Sequence, residues 1–542
     1  MSSATVESAR PAVDARGQRI VDRIAAVDPW WWALGVLVAA WTWFFTGLTL
    51  DIHHGLGTSS YDYGLYDQGV WLLSRFDAPF VTLMGRNLFG DHTSFILVSL
   101  VPLFWIAPSA GVLFFAQSAL IAAGAIPVFA YARRRLESGG LALCFAAMYL
   151  LHPAIGWTNL ENFHPDAFSG VFVGAAIYGA LERRWRIYLV FVVLALLVKE
   201  DVALVVVPLG LWVAVRRDRR IGILTMLGAA SIMVVAMFVV MRGLTGEATR
   251  NAWRIPFGGP GGFIGRAFTR PNDVIDHLGD DGRPFYVWQL LAPFAWVAAR
   301  LPSVALISGA VVAANVVSTY GYQYDIRYHY TMIAVPALTL GAVYALGALG
   351  RQARVVVTAA ALGTSLLAAT LWGPLPFSRN EVVYWERSNP AAVAAREVVD
   401  AVPGDAVISV HHSIAPHLSR RREVYQFPNP FRVVLYEDVD IEGTRLVDRA
   451  ERVEYIALPR ARSEEETLDL ARIEPAFELV IRNDYWELYR RAGPLPPPLT
   501  PPRLGGIRPI SRSGRDLFQL LEEIPPRQAV VGRRRGYVRR RP

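Results

Sequence analysis

The sequence is poor in the residue types that soluble and secreted proteins use most freely. Of its 542 residues only 18% are charged, against roughly 25% in soluble proteins, and 53% are hydrophobic, with a mean hydropathy of +0.30. Its one cysteine, Cys144, excludes an intrachain disulfide and a cysteine-based metal site. Of the 54 lysines and arginines only Lys199 is a lysine. This composition excludes a disordered chain, an ordinary cytosolic enzyme and a nucleic-acid-binding domain.

Sequence motifs of soluble catalysis are also absent: there is no Walker A motif, no GxSxG, no HExxH and no dinucleotide fingerprint. The chain is instead organised around apolar runs. These cover approximately 30–50, 95–107, 111–132, 141–158, 167–181, 187–198, 202–215, 221–241, 286–299, 302–318, 328–348 and 355–373. Uncharged runs of this kind predict an α-helical membrane protein that crosses the bilayer many times.

Arginine-rich loops between these runs predict the orientation. Such loops occur at 133–135, 182–186, 216–220 and 351–354. Short cytoplasmic loops are enriched in basic residues, so all four are predicted to be cytoplasmic. If the N-terminus is cytoplasmic, the number of membrane crossings agrees with these four loops only when the short run 95–107 does not fully cross the membrane. The sequence thus predicts about eleven transmembrane helices in a bacterial cell membrane, with the C-terminus outside. The net charge of +8 is accounted for by arginines that set the topology and contact lipid headgroups, and it does not indicate a nucleic-acid partner.

Four segments are predicted along the chain: a cytoplasmic segment 1–29, a transmembrane domain 30–374 with an outer loop 51–94, a small extracytoplasmic α/β domain 375–492, and a Pro- and Arg-rich disordered tail 493–542. In the α/β domain, apolar spacing predicts a helix near 391–403. Alternating patterns predict strands at 405–410, 454–458, 477–481 and 485–489.

Polar residues that could carry chemistry fall in the predicted outer loops, where they would line a cavity. In the first loop, Asp62 and Asp67 stand five apart in Tyr-Asp-Tyr-Gly-Leu-Tyr-Asp-Gln. We predict an amphipathic interfacial helix that carries both carboxylates into a groove, one as general base for a sugar hydroxyl and the other as its helper. The alternative is helix capping and headgroup hydration.

Cationic residues at two further sites indicate recognition of a phosphate group. Lys199 and Glu200 lie in an outer turn, where the ammonium would hold a donor phosphate, and the alternative is a self-paired turn at a helix end. Arg327, followed by His329, lies among tyrosines and is suited to bidentate phosphate recognition. The alternative for Arg327 is an interfacial arginine that extends to the headgroups.

The remaining candidates are cavity or acceptor-binding residues: His92, Glu161, His164 and Asp166. No metal ligand is assigned and no cofactor is required. A divalent metal stays open as an alternative, because Glu161 and His164 are three apart and His92 with Asp91 could join them across loops. Pro165, however, disfavours a continuous helix through the first pair.

The order of these motifs resembles a known family. YDYGLYDQGVW, GDHTSF, ENFHPDAF, LLVKEDVAL and RYHYTMIAVPAL together resemble, over roughly residues 30–490, a family of uncharacterised bacterial polytopic membrane proteins that looks related to the GT-C glycosyltransferases. The resemblance implies an acidic residue in the first outer loop beside a groove for a polyprenyl-phosphate-linked sugar, and transfer outside the cytoplasm with inversion. By position, Asp62 and Asp67 match that acidic loop and Lys199 matches a lysine that often ends a span. An Asp-Asp, Asp-Glu or Asp-x-Asp pair is missing from the loop.

The expected function is therefore an integral membrane glycosyltransferase. Its donor would be a polyprenyl-phosphate sugar and its acceptor an envelope glycan, lipid or protein on the outer face. The alternative, from a different class, is a non-enzymatic transporter or a lipid- or glycan-binding envelope protein, because a fold of this type does not by itself imply catalysis.

Overall fold

The computed structural model describes residues 28–249, 251–436 and 441–498. Most of the predicted N-terminal cytoplasmic segment and most of the predicted disordered tail lie outside these ranges. Helices dominate the part of the chain before residue 373. The α-helices there are Pro29–His54, Leu65–Ser74, Leu88–Asp91, Val101–Ile106, Ala110–Ala123, Ala125–Leu136, Gly139–Leu151, Pro153–Leu160, Ala167–Leu181, Trp185–Leu196, Ala203–Arg216, Arg219–Val235, Arg242–Thr245, Pro260–Thr269, Pro271–Gly279, Arg283–Leu291, Gly309–Val317, Val335–Leu346 and Arg351–Trp372.

Several of these helices are long and apolar enough to cross a membrane. Within the described residues five meet that requirement: Pro29–His54, Ala110–Leu136, Arg219–Thr245, His329–Leu346 and Arg351–Trp372. A sixth results if Gly139–Leu151 and Pro153–Leu160, bent by 46°, form one broken span. Four more apolar helices are shorter, so the chain is a multi-pass membrane protein, whereas the predicted number of eleven spans stays a prediction.

The predicted runs 286–299 and 302–318 are not continuous α-helices either. In the run 286–299 the helix ends at Leu291, a 3-10 turn that contains Pro293 follows, and Ala295 and Trp296 then adopt left-handed backbone angles with φ of 48° and 56°. In the run 302–318, α-helix begins only at Gly309. Proline cannot donate the backbone hydrogen bond that a helix interior needs, so Pro293 is consistent with the end of the first helix. Hydropathy alone overestimated the α-helical length of both runs.

The two ends of the helical bundle differ in chemistry. At one end the arginine-rich loops pack together: Arg133 pairs with Asp28 at 3.0 Å, Arg134 pairs with Glu182, and Arg217 donates to the carbonyl oxygen of Leu181. Asp28 caps the first helix, which runs over 26 residues, or about 39 Å, to the other end. From the positive-inside rule we expect the arginine end to face the cytoplasm, and this orientation stays a prediction.

This orientation predicts a labelling result. With Cys144 replaced by serine, Ala461→Cys, in an exposed part of the C-terminal domain, should react with a membrane-impermeant maleimide on intact cells. Arg219→Cys, exposed at the arginine end, should react only after permeabilisation. The opposite pattern would place the sheet domain in the cytoplasm and contradict the predicted orientation.

Beyond the bundle, the C-terminal part forms a sheet domain. The first two strands of the chain, β1 (Phe80–Val81) and β2 (Arg86–Asn87), do not belong to this domain; they form a separate short hairpin in the first loop. The domain contains helices Pro390–Ala401, Val447–Ala450 and Glu464–Ala471 and strands β3 (Ile408–Val410), β4 (Val424–Gln426), β5 (Tyr455–Pro459), β6 (Phe477–Arg482) and β7 (Trp486–Arg491). The strand order is β4-β3-β5-β7-β6, in which β3 runs parallel to β4 and β5 while β7 runs antiparallel to β5 and β6.

The sheet domain is docked on the first loop by hydrogen bonds. Thr82 Oγ1 donates to the carbonyl of Val424 at 2.8 Å, so β4 is tied to the β1 strand region. Gln68 donates to the carbonyl of Arg421 at 3.2 Å, and the ring of His53, at the end of the first span, stacks on His417 at 4.2 Å. The domain therefore covers the end of the bundle opposite the arginine-rich loops.

Candidate active site

The helix predicted for the first loop is present, but its two aspartates point in different directions. A π-helical turn, Ser60–Gly64, is followed by the α-helix Leu65–Ser74. Asp62, in the π-helical turn, lies next to His164 and Asn162, whereas Asp67, in the α-helix, contacts Ser419 and Arg420. One predicted groove therefore does not hold both carboxylates.

Asp67 faces the C-terminal domain and is fully buried. Its Oδ2 accepts a hydrogen bond from Ser419 Oγ at 2.5 Å and lies 3.2 Å from Nε of Arg420, which also donates to the hydroxyl of Tyr63 at 3.3 Å. A carboxylate enclosed in this way offers no free face to an acceptor hydroxyl. Its position therefore corrects the predicted role: Asp67 ties the first loop to the sheet domain and is not placed to act as a general base.

Asp62 belongs to a group that we call the carboxylate–histidine cluster: Asp62, Glu161, His164 and His329. Asp62 Oδ1 lies 3.6 Å from His164 Nε2. The rings of His164 and His329 stack with centroids 3.9 Å apart and an angle of 20° between their planes. His329 Nδ1 lies 3.1 Å from Glu161 Oε2, and the His329 backbone N–H donates to the same carboxylate. Three separate segments of the chain thus meet at this cluster.

Buried amides hold the loop that carries Glu161 and His164. Asn162 adopts a left-handed backbone angle of 57° just after the helix that ends at Leu160. Gln117, fully buried on a neighbouring span, accepts from the His164 backbone N–H at 2.9 Å and donates to the carbonyl of Asn162 at 2.6 Å. Asn162 in turn donates to Asp62 at 3.4 Å. The geometry of the cluster is therefore fixed by a polar side chain inside an otherwise apolar helix.

Burial and neighbouring charges set the protonation of these groups. Burial raises the pKa of Glu161 to about 8, although the nearby His164 opposes the shift. For Asp62 burial would raise the pKa, but the interaction with His164 outweighs it and the pKa is lowered. Correspondingly, burial would lower the pKa of His164, and Asp62 and Glu161 raise it. Of the two carboxyl groups, Asp62 and Glu161, Asp62 is thus the one whose ionised form is favoured by its surroundings.

Lys199 lies beneath the cluster as half of a buried ion pair. Its side chain is only 2% exposed, and Nζ lies 3.3 Å from Asp166 Oδ2. Burial disfavours the charged ammonium, but Asp166 and Asp201 outweigh it and hold the pKa of Lys199 well above its ordinary value. The ammonium group predicted at this position therefore pairs with Asp166 from another loop rather than with Glu200 from its own turn.

His92 and Glu200 form a second pair at the edge of the site. His92 Nδ1 lies 2.7 Å from Glu200 Oε1, and the Thr93 backbone N–H donates to the other oxygen at 3.1 Å. Burial would raise the pKa of Glu200, but His92 lowers it to about 2. Asp91 pairs with Arg86 at 2.9 Å. His92 and Asp91 thus have other partners, and the residue that lies close to Glu161 and His164 is His329.

Arg327 differs most from its predicted role. Its guanidinium forms a bidentate pair with Asp325 at 2.6 to 3.1 Å, and its side chain is 62% exposed. It lines an open cavity of about 370 Å³ together with Tyr324 and Trp372. Although only two residues from His329, Arg327 lies on the outside of the site, where it is paired with a carboxylate of its own loop.

Sequence reasoning missed Arg254. Its guanidinium carbon lies 4.3 Å from the ring centroid of Tyr320 and 5.6 Å from that of Tyr330, and the Tyr330 ring contacts the His329 ring at 4.1 Å. Within the described ranges, the Nε atom of Arg254 is buried and has no hydrogen-bond partner. A signal was present: Arg254 follows Trp253 outside the four arginine-rich loops, and the positive-inside rule does not explain it.

The chain was compared with known proteins. The family model described as "Predicted membrane protein (DUF2079)" matches residues 52–491. No curated protein matches. Two solved structures are similar in fold: ArnT from Cupriavidus metallidurans in the apo state, with 15% identity and a TM-score of 0.50, and the same protein bound to undecaprenyl phosphate, with 16% identity and a TM-score of 0.49. Each comparison covers 84% of this chain and 97% of ArnT. At this identity the similarity to ArnT in the apo state is a similarity of fold alone, and the fold is the part of the predicted resemblance that it confirms.

Proposed function

The chain belongs to the DUF2079 family of predicted membrane proteins, and from this premise we propose that it is a GT-C-type membrane glycosyltransferase. It would transfer a sugar from a polyprenyl-phosphate donor to a hydroxyl of an envelope glycan, lipid or protein. The reaction would take place at the end of the bundle that the sheet domain covers, on the outer face of the cell membrane.

The observation that carries this proposal is the position of Asp62. It lies in the first loop, 40% of its side chain is exposed, and His164 and Asn162 hold it from the buried side. A general base must reach the proton that it removes while being fixed in orientation. Asp62 meets both requirements, whereas the fully buried Asp67 meets only the second.

In the proposed reaction the Asp62 carboxylate takes the proton of the acceptor hydroxyl. The hydroxyl oxygen forms a bond to the anomeric carbon from the face opposite the phosphate. The bond between that carbon and the phosphate oxygen breaks, and polyprenyl phosphate leaves with the electron pair. Because attack and departure occur on opposite faces, the anomeric configuration is inverted.

Arg254 is the best-placed cation for the donor phosphate. Guanidinium groups bind phosphate through parallel N–H donors, and Arg254 keeps a buried Nε without a partner in the described part of the chain, beside the tyrosines that border His329. Lys199, paired with Asp166 below, adds positive potential without direct access. Together they would offset the charge that develops on the leaving phosphate.

This assignment predicts the effect of Arg254→Gln. A hydrogen bond to a charged group contributes about 1.5–3 kcal/mol, so the KM for a polyprenyl-phosphate sugar should rise about 10- to 100-fold. The matched control is Arg266→Gln, because Arg266 also stacks on an aromatic ring but pairs with Asp273 away from the cluster. Steady-state kinetics in purified membranes, with protein abundance checked by blot, measures both. Equal KM values in the two variants would remove Arg254 from the donor site.

A further inference from the structure

We propose that Glu161, His164 and His329 form a binding site for one zinc ion. One oxygen of Glu161 and one ring nitrogen of each histidine lie within 4.8 Å of one another. Two imidazoles and one carboxylate are a donor set typical of zinc sites that keep a position open for a further ligand. Zinc–nitrogen bonds are about 2.0–2.1 Å long, which places tetrahedral ligand atoms about 3.3–3.4 Å apart. Atoms that are up to 4.8 Å apart would therefore have to approach by as much as about 1.4 Å on binding. The two stacked imidazoles would also have to turn, because zinc binds in the plane of the ring.

Both histidines are buried, and His164 has a ring nitrogen with no hydrogen-bond partner among the described residues. His164 is 4% and His329 8% exposed. Nε2 of His164 faces Asp62, while its Nδ1 is buried and has no hydrogen-bond partner in the ranges that the structure describes. Buried polar atoms are nearly always satisfied, so an orphaned ring nitrogen inside a cluster of ligands needs an explanation. A bound zinc ion supplies the missing partner.

Asp62 and Gln117 provide the supporting contacts that metal-binding histidines usually have. A histidine that binds a metal through one nitrogen generally presents the other to a carboxylate, and His164 presents Nε2 to Asp62. The His164 backbone is held by Gln117. The ring of His329 also contacts the ring of Tyr330, with the centroids 4.1 Å apart. The three ligands therefore lie on segments whose positions are set by independent contacts.

Charge pairing around the site also favours a cation. The carboxylate of Asp166 is occupied by Lys199, and that of Glu200 by His92. Asp62 and Glu161 instead face the two stacked imidazoles. Buried carboxylates are stable when they are paired or coordinate a metal, and a divalent ion would balance Glu161, while the more exposed Asp62 keeps its contact with His164. The open position of the ion could then take an oxygen of the donor phosphate; this role rests on the proposed transfer reaction, whereas the site itself does not.

Zinc binding to the full-length protein tests the proposal. The detergent-purified chain is treated with EDTA, exchanged into metal-free buffer and titrated with zinc sulfate by calorimetry. We expect one zinc ion per chain for wild type, a loss of affinity of about 100-fold or more for His329→Ala and Glu161→Gln, and no change for the control His277→Ala. Asp62→Asn, which replaces the supporting carboxylate by a neutral amide, should weaken binding by about 10- to 100-fold.

X-ray absorption on the zinc-loaded wild type does not depend on whether a variant folds. We expect two imidazole nitrogens and at least one oxygen at about 2.0–2.2 Å. Absence of zinc binding by wild type, an equal loss in His277→Ala, or a spectrum without imidazole ligands would overturn the proposal. A chain that binds zinc but transfers no sugar would retain the metal site and reject the proposed function, so the two failures are distinguishable.

Discussion

Replacing Asp62 by asparagine is expected to reduce sugar transfer about 10²- to 10⁴-fold, the usual contribution of a general base. The amide has the size of the carboxylate and can still hydrogen-bond to His164 and Asn162, but it cannot take the hydroxyl proton. The loss should appear in kcat, measured with a radiolabelled polyprenyl-phosphate sugar. Zinc is kept in excess, so that the weaker zinc binding expected of this variant does not contribute.

The matched comparison for Asp62→Asn is Glu161→Gln, a second neutral substitution in the same cluster. Glu161 contacts His329 and is not placed to take the acceptor proton. At saturating zinc its loss of kcat should be smaller than that of Asp62→Asn. Wild-type kcat in Asp62→Asn would show that the base lies elsewhere.

Replacing Asp67 by alanine is expected to lower the free energy of unfolding by about 3 kcal/mol. Removing one partner of a buried ion pair leaves the other charge without compensation, at a cost of about 3–5 kcal/mol, and Arg420 is 31% exposed, which favours the lower end. The Ser419 hydroxyl loses its acceptor at the same time. Denaturant unfolding of the purified protein, followed by tryptophan fluorescence, measures the change.

Asp77→Ala is the control for Asp67→Ala, because Asp77 also joins the first loop to an arginine of the sheet domain. Its partner Arg422 is 77% exposed, and exposed ion pairs contribute only about 0–1 kcal/mol. The structure therefore predicts a clear difference between two aspartates of the same loop. Similar unfolding free energies in the two variants would contradict the docking role of Asp67.

Local patterns predicted much of the C-terminal domain. The helix Pro390–Ala401 follows an asparagine cap and a first-turn proline, and the strand patterns near 408, 455, 477 and 486 all correspond to observed strands. The strand Val424–Gln426 was missed. It has three residues, too few to show an alternating pattern, and it pairs with β3 only after the chain has turned back through Arg420 to Arg422.

The site was harder to predict because its contacts join distant parts of the chain. Convergence of the outer loops followed from membrane topology, and it brought Glu161, His164 and His329 together. The partner of Asp67 is 352 residues away in sequence, at Ser419. No local pattern encodes that contact, so Asp67 and Asp62 looked equivalent. Only the packing of the sheet domain on the first loop separates a buried aspartate from an accessible one.

The central claim is sugar transfer from a lipid-phosphate donor, and product analysis with purified wild-type protein tests it most directly. The protein is incubated with a panel of polyprenyl-phosphate sugars and an extract of envelope acceptors, and free polyprenyl phosphate and the glycosylated product are measured. We expect both to appear in equal amounts, with inverted anomeric configuration by NMR, and to be lost in Asp62→Asn. Saturable binding of the lipids without release of polyprenyl phosphate would contradict the claim and favour a transporter or binding protein.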